Sequence, residues 1–115
     1  MATIKKGDKL FVVTRRDLSP GYQGVQSQHV LRQFTADHPD RDVEWFVGSN
    51  YLAWLSVENE VELMRLIVQA SDAGLRCSAW REPDVDGHIT AIAIEPHPKA
   101  AELCKDLPLA LKELG

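Results

Sequence analysis

The sequence predicts an α/β domain built on a mixed four-stranded β-sheet with helices packed on both faces. Three features predict it. Four short apolar stretches, at 9–15, 51–57, 75–81 and 88–95, have the length and composition of strands. Segments of helical period separate the first three, and such crossovers imply parallel pairing. Only the turn formers Glu82-Pro83-Asp84-Val85-Asp86-Gly87 separate the last two, which suits an antiparallel hairpin. With 115 residues, the chain fits one domain spanning 1–115.

In the first strand, Leu10-Phe11-Val12-Val13 is apolar without alternation, as expected when both faces are covered. A tight turn at 17–21 leads into a helix opened by Ser19 and Pro20. Serine at the cap and proline in the first turn form a start signal, because proline's missing N–H would have no partner there. Along this helix Tyr22, Val25, Gln26, His29, Val30, Gln33 and Phe34 recur at helical spacing and predict the face turned toward the sheet. The helix should end before Pro39. Residues 38–45, HPDRDVEW, are polar and charged and predict a loop or frayed turn.

Gly48-Ser49-Asn50 predicts a turn before the second strand, YLAWLSV. Asn59 and Glu62 have capping-box spacing, followed by an apolar stripe of Leu63, Leu66, Ile67 and Ala70, with Gly74 as a left-handed terminator. The third strand spans 75–81. The fourth, 88–95, carries small and β-branched residues on both faces and is expected to be central. Pro98 opens a helix to about Lys105, and Pro108 interrupts a last short helical segment.

Composition bounds the function. No apolar run approaches the roughly 18 residues that span a bilayer. The lysine-bearing start, MATIKKGDKL, has no apolar segment of signal-peptide type behind it, so a cytoplasmic protein is expected. Cys77 and Cys104 match no metal or redox spacing and are expected as reduced thiols. A net charge of −4 argues against general adhesion to nucleic acid. The charge is uneven: residues 1–16 hold five of the 13 bases and one of the 17 acids. That basic end is either a phosphate contact or a solvated terminus.

Several residues have chemistry to offer. An imidazole such as His29 takes a proton from water and returns it to a leaving group, although a lone helical histidine is more often a core residue bonded through a neighbour such as Gln26. Asp17, in the turn before the same helix, is a plausible orienting partner for it, or simply a brace for the turn. Glu82, Asp84 and Asp86 form an acidic connector that positions a water or is merely solvated. Thr90, near the start of the fourth strand, offers a hydroxyl. The chain contains no Gly-rich phosphate loop, zinc spacing or Gly-x-Ser-x-Gly elbow, so no metal or cofactor is expected.

Together these residues resemble a known family. Val12-Val13-Thr14-Arg15-Arg16-Asp17-Leu18-Ser19-Pro20-Gly21, followed by Gln26-Ser27-Gln28-His29, is similar to the archaeal/eukaryotic-type peptidyl-tRNA hydrolases. Their signature is an apolar strand, Arg-x-Asp-Leu, Lys-Gly-Lys, and Ala-Ala-Gln-x-x-His on a helix. Thr90-Ala91-Ile92-Ala93-Ile94-Glu95-Pro96 resembles the family's Thr-x-x-x-Ile-Gly-Pro strand end. Arg15, Asp17, Gln26, His29 and Thr90 match the pattern. Pro20 and Tyr22 stand where the family has two lysines, and Glu82 or Asp84 stands for the aspartate of its Asp-Ala-Gly-x-Thr segment.

The resemblance implies a small, often dimeric α/β protein that cleaves the ester joining a peptide to tRNA. His29, Glu82 or Asp84 would activate water, Asp17 would orient the site, and Thr90 would steady the oxyanion. Arg15, Arg16, Gln26 and Tyr22 would contact the substrate. The alternatives are a non-catalytic tRNA- or protein-binding module on the same fold, or a hydrolase of an unrelated ester.

Overall fold

The computed structural model describes residues 3–113; of the expected domain span, residues 1, 2, 114 and 115 lie outside the description. In chain order the elements are β1 (Lys9–Arg15), α1 (Pro20–Asp37), α2 (Pro39–Gly48), β2 (Tyr51–Val57), α3 (Glu60–Asp72), β3 (Cys77–Glu82), β4 (His88–Ile94) and α4 (Pro98–Cys104). The four strands form one mixed sheet in the order β2-β1-β4-β3. β1 runs parallel to β2, from Lys9 opposite Tyr51 to Arg15 opposite Val57. β4 is central and antiparallel to both β1 and β3, as its small residues on both faces predict.

Alternation along the central strands divides the core in two. Leu10, Val12, Ala91 and Ala93 face Val30 and Phe34 of α1 and Trp45 of α2. Phe11, Val13, Ile92 and Ile94 face Leu63, Leu66 and Ala70 of α3, with Ala100 and Cys104 of α4. Asn59 accepts from the Glu62 N–H at 3.2 Å, completing the predicted cap of α3. At the other end Gly74 adopts φ +74°, while Leu75 N–H bonds to Ala70 and Gly74 N–H to Ser71. That pairing is a Schellman closure and satisfies carbonyls the helix would otherwise leave open.

Three expectations need correction. First, residues 39–48 form α2 rather than a loop. Pro39 occupies its first turn, Asp40 and Asp42 suit its positive end, and Trp45 is buried. Its polarity misleads because Arg41, which looks solvated in the sequence, is itself fully buried against Glu95. Second, residues 108–110 are extended rather than helical. Ser56 N–H donates to the Pro108 carbonyl and Ala110 N–H to the Trp54 carbonyl, both at 2.9 Å, so this segment shields part of the β2 edge. Third, the face of α1 is rotated. Its buried residues are Gln23, Gln26, Ser27, Val30 and Phe34, whereas Val25 and His29 are exposed and Tyr22 and Gln33 only partly covered. The sheet and the preceding turn supply polar partners, so Ser27 (accepting from the Trp54 indole at 2.8 Å) and Gln23 (donating to the Leu18 carbonyl at 2.6 Å) turn inward in place of Val25.

Both cysteines are free, and burial pushes the Cys104 thiol up to about 12. At pH 8 its thiolate fraction is then on the order of 10⁻⁴, and the thiolate is the reactive form. Titration with an aromatic disulfide reagent should therefore leave Cys104 unmodified in the native protein and modify it in guanidinium. Rapid native modification of Cys104 would contradict the packing around α4.

Candidate functional site

The candidate site lies where the middle of α1 crosses the ends of β3 and β4, and it is built around Gln26. Thr90 Oγ1 donates to Gln26 Oε1 at 2.5 Å, and Gln26 Nε2 donates to Glu82 Oε1 at 2.9 Å. The Asp84 N–H donates to Glu82 Oε2 at 3.3 Å, and the Trp80 indole approaches Oε1 at 3.5 Å. Gln26, Glu82 and Thr90 are all buried. Beside them the His29 ring lies on the Trp80 ring, with centroids 4.5 Å apart and planes 12° from parallel.

A β-bulge aims Thr90 at this network. Trp80 pairs with Ala91 and Arg81 with Ile89, which leaves Thr90 without a counterpart on β3. The extra residue shifts the alternation, so that Ile89 and Ile92 face α3 while Thr90 and Ala91 face α1. Ser78 and Glu82 reach the same side of β3, where Ser78 donates to Asp37 of α1 at 2.8 Å.

The electrostatics follow from these bonds. The Gln26 amide, opposed by burial and aided by the Asp84 N–H, the Trp80 indole and the charge of His29, holds the Glu82 carboxyl below its usual range. A carboxylate so stabilised is a weak base and a good counter-charge. Burial first, then the Glu82 and Asp84 carboxylates, pushes the Tyr22 phenol above its usual range. Among the described residues, no three His, Cys, Asp or Glu side chains are arranged to hold a metal ion.

The structure brings together Gln26, His29, Glu82 and Thr90, with Tyr22 close by, and it changes the roles of several others. Asp17 does not orient His29. Its carboxylate takes two bonds from Arg15, each 2.9 Å, and this pairing holds it below the usual carboxylate range. Arg15 also donates to the Ile89 carbonyl at 3.1 Å, so its guanidinium is committed within the fold. Arg16 turns the other way and donates to Ser56 of β2 at 3.3 Å. Of the connector acids, Glu82 faces the network, whereas Asp84 enters it only through its backbone and Asp86 is exposed. The Thr90 hydroxyl donates to Gln26, so in this arrangement its proton is engaged within the network. Trp80 lies outside the sequence-predicted site; an aromatic two residues before Glu82 on one strand face is the signal that points to it.

Three carboxyls, Asp17, Glu60 and Glu82, are held below their ordinary range. For Glu60, burial pushes upward, but the Ile89 N–H at 2.7 Å and His88 outweigh it. Groups depressed on folding stabilise the native state above their unfolded pKa, about 4, and lose that contribution as pH falls through the lower folded values. The urea midpoint should therefore drop between about pH 5 and pH 2. A midpoint independent of pH across that window would show that these pairings carry no stability.

The fold and network define a class no finer than an α/β domain with a mixed four-stranded sheet and helices. Within that class the chain is similar to a solved structure of a protein of unknown function from Agrobacterium tumefaciens strain C58. The TM-score is 0.63 at 13% identity, over 88% of this chain and 96% of that one. No protein-family model and no curated protein matches the sequence. Among the described residues no helix is long and apolar enough to cross a membrane.

Proposed function

We propose that this protein is a hydrolase of peptidyl-tRNA or a related aminoacyl ester, related in fold to the archaeal/eukaryotic-type peptidyl-tRNA hydrolases. The observation that carries the reading is the Gln26 bridge. One amide ties the strand-four threonine to the carboxylate ending β3, directly beside the histidine of the Gln-x-x-His motif.

In this reading His29 is the general base. Its ring is exposed to water and held flat by Trp80, beside the Glu82 carboxylate. Glu82 supplies charge rather than proton transfer, and Gln26 with Thr90 fixes its position. The proton then passes from His29 to the departing ribose oxygen. A shallow groove of about 210 Å³ runs past His29 between Val25, Gln28 and Arg32, where Arg32 offers a cation for phosphate. A tRNA partner, a cytoplasmic location and homodimerisation belong to the same proposal.

The test is release of peptide from peptidyl-tRNA by the wild type, His29→Ala and Glu82→Gln. Both variants should lose at least tenfold in rate while keeping the wild-type fold by circular dichroism. Equal rates in all three would remove these residues from the mechanism.

A second reading, a non-catalytic binding module, has one observation in its favour. The Glu82 oxygens, the Thr90 hydroxyl and the Arg15 guanidinium all have partners already. Salt-sensitive tRNA binding without turnover would select it, whereas binding of protein alone would point to a protein partner.

A further inference from the structure

A cavity of about 410 Å³ opens on the sheet face opposite α1, between α4 and the edge strand β2. Phe11, Ala53, Leu55, Cys104 and Leu107 form its floor, and Phe11, Leu55 and Cys104 are buried members of the core beneath α3 and α4. The rim is polar, with Asp8, Lys9, His97 and Lys105 around it. An apolar floor with a few convergent polar groups, at this size, is the usual form of a small-molecule site.

Two independent observations give the rim its chemistry. The first is charge. Lys9 belongs to the basic start of the chain, where Lys5, Lys6 and Lys9 stand against Asp8 alone. Strand alternation puts Lys9 on the same face of β1 as Phe11, at the mouth of the cavity. Lys105 is held by Glu102 at 2.7 Å, and Asp8 accepts from the Lys5 N–H at 2.8 Å. Lys9 has no ion-pair partner among the described residues, so its ammonium is left to attract an anion.

The second observation is His97, half-buried at the start of α4. Its Nδ1 accepts from the Lys99 N–H at 3.0 Å. A backbone N–H can only donate, so Nδ1 is bare and the proton of the neutral ring is on Nε2. That Nε2–H has no partner among the described residues, and His97 lines the cavity. The rim therefore offers one ammonium and one N–H, and both call for an acceptor.

We propose that this cavity binds a carboxylic acid with an apolar body, of the medium-chain fatty acid type. The carboxylate would take the Lys9 ammonium on one oxygen and the His97 Nε2–H on the other, and the alkyl chain would lie on Phe11, Ala53, Leu55 and Leu107. One unpaired cation matches the single charge of a carboxylate better than the double charge of a phosphate monoester. The proposal does not depend on the hydrolase reading, since Gln26, His29, Glu82 and Thr90 belong to the α1 side of the sheet.

The experiment is a set of amide-shift NMR titrations of the full chain with octanoate, 1-octanol, butanoate and octyl phosphate. Octanoate should bind at least tenfold more tightly than 1-octanol, which lacks the charge. It should exceed butanoate by at least as much, since each buried methylene adds about fourfold. Shifts should be confined to residues 7–11, 53–55 and 97–109. Lys9→Gln should keep the fold and bring octanoate down to the affinity of 1-octanol, and Ala53→Leu, which fills the floor, should abolish binding of both. Equal affinities for octanoate and 1-octanol in the wild type, no binding of octanoate at millimolar concentration, shifts scattered over the surface, or a Lys9→Gln protein that still prefers octanoate would overturn the proposal. If octyl phosphate binds more tightly than octanoate, the assignment to a carboxylate is wrong.

Discussion

Replacing Arg41 with alanine is expected to destabilise the protein by about 3–5 kcal/mol, the usual cost of leaving one partner of a buried ion pair unmatched. Arg41 is fully buried. Its Nε donates to Glu95 Oε1 at 2.6 Å and its Nη2 to the Pro96 carbonyl at 2.8 Å, while Nη1 reaches Glu44 at 3.2 Å. The other oxygen of Glu95 accepts from the Arg76 N–H at 2.6 Å. The pair therefore ties α2 to the end of β4 and to the approach to β3. Removal of the guanidinium leaves the buried Glu95 carboxylate with the Arg76 N–H but without its charged partner, and takes the Nη2 donor from the buried Pro96 carbonyl. The double variant Arg41→Met, Glu95→Leu removes both charges and should be less destabilised than Arg41→Met alone. Urea unfolding with unchanged slope measures all three. An Arg41→Ala protein within about 1 kcal/mol of wild type would mean that the guanidinium is not sealed from solvent as the structure places it.

This pair also shows where the sequence stops being legible. The central place of β4, the parallel β1–β2 pair, the hairpin sense and the ends of α3 followed from local signals: the small residues of β4, the unbroken apolar run in β1, the short connector before β4, and the Asn59 cap with its Gly74 closure. Such signals act over a few residues and survive in any single sequence. Arg41 and Glu95 lie 54 positions apart, and apart from each other each reads as a surface charge. Of the apolar residues in α2, Val43, Phe46 and Val47 are exposed and only Trp45 is buried, so the apolar pattern of the segment does not mark the face that packs. The rotation of α1 has the same origin. Periodicity weighs Val25 above Ser27, but the Trp54 indole and the Leu18 carbonyl lie where only a polar side chain can meet them. The extended 108–110 segment, set by pairing with β2, is a third instance.

The candidate site was half legible for a related reason. Gln26, His29 and Thr90 stood out by motif, and the acidic connector by composition. The choice between Glu82 and Asp84 depended on the Pro83–Val85 turn, and the orientation of Thr90 on a bulge that no local residue announces. Asp17 suggests itself as a partner for His29 because it lies in the turn that leads into the same helix. Arg15, two residues away on the same chain, claims it with bidentate geometry that the sequence spacing alone does not reveal.

Replacing Gln26 with leucine is expected to cost about 2–3 kcal/mol, chiefly because the buried Thr90 hydroxyl loses its acceptor and the amide's packing is replaced imperfectly. The substitution has a second consequence that a merely structural residue would lack. Gln26 is the largest influence holding Glu82 below the usual carboxylate range, so its loss should raise the Glu82 pKa and move the acid-unfolding midpoint to higher pH. Adding Thr90→Val removes the orphaned hydroxyl, and the double variant should recover part of the stability while leaving the raised Glu82 pKa in place. Thermal unfolding together with a carboxyl-detected NMR titration separates the two effects. If Gln26→Leu shifts stability but leaves the Glu82 titration unmoved, the amide packs the helix without tuning the carboxylate.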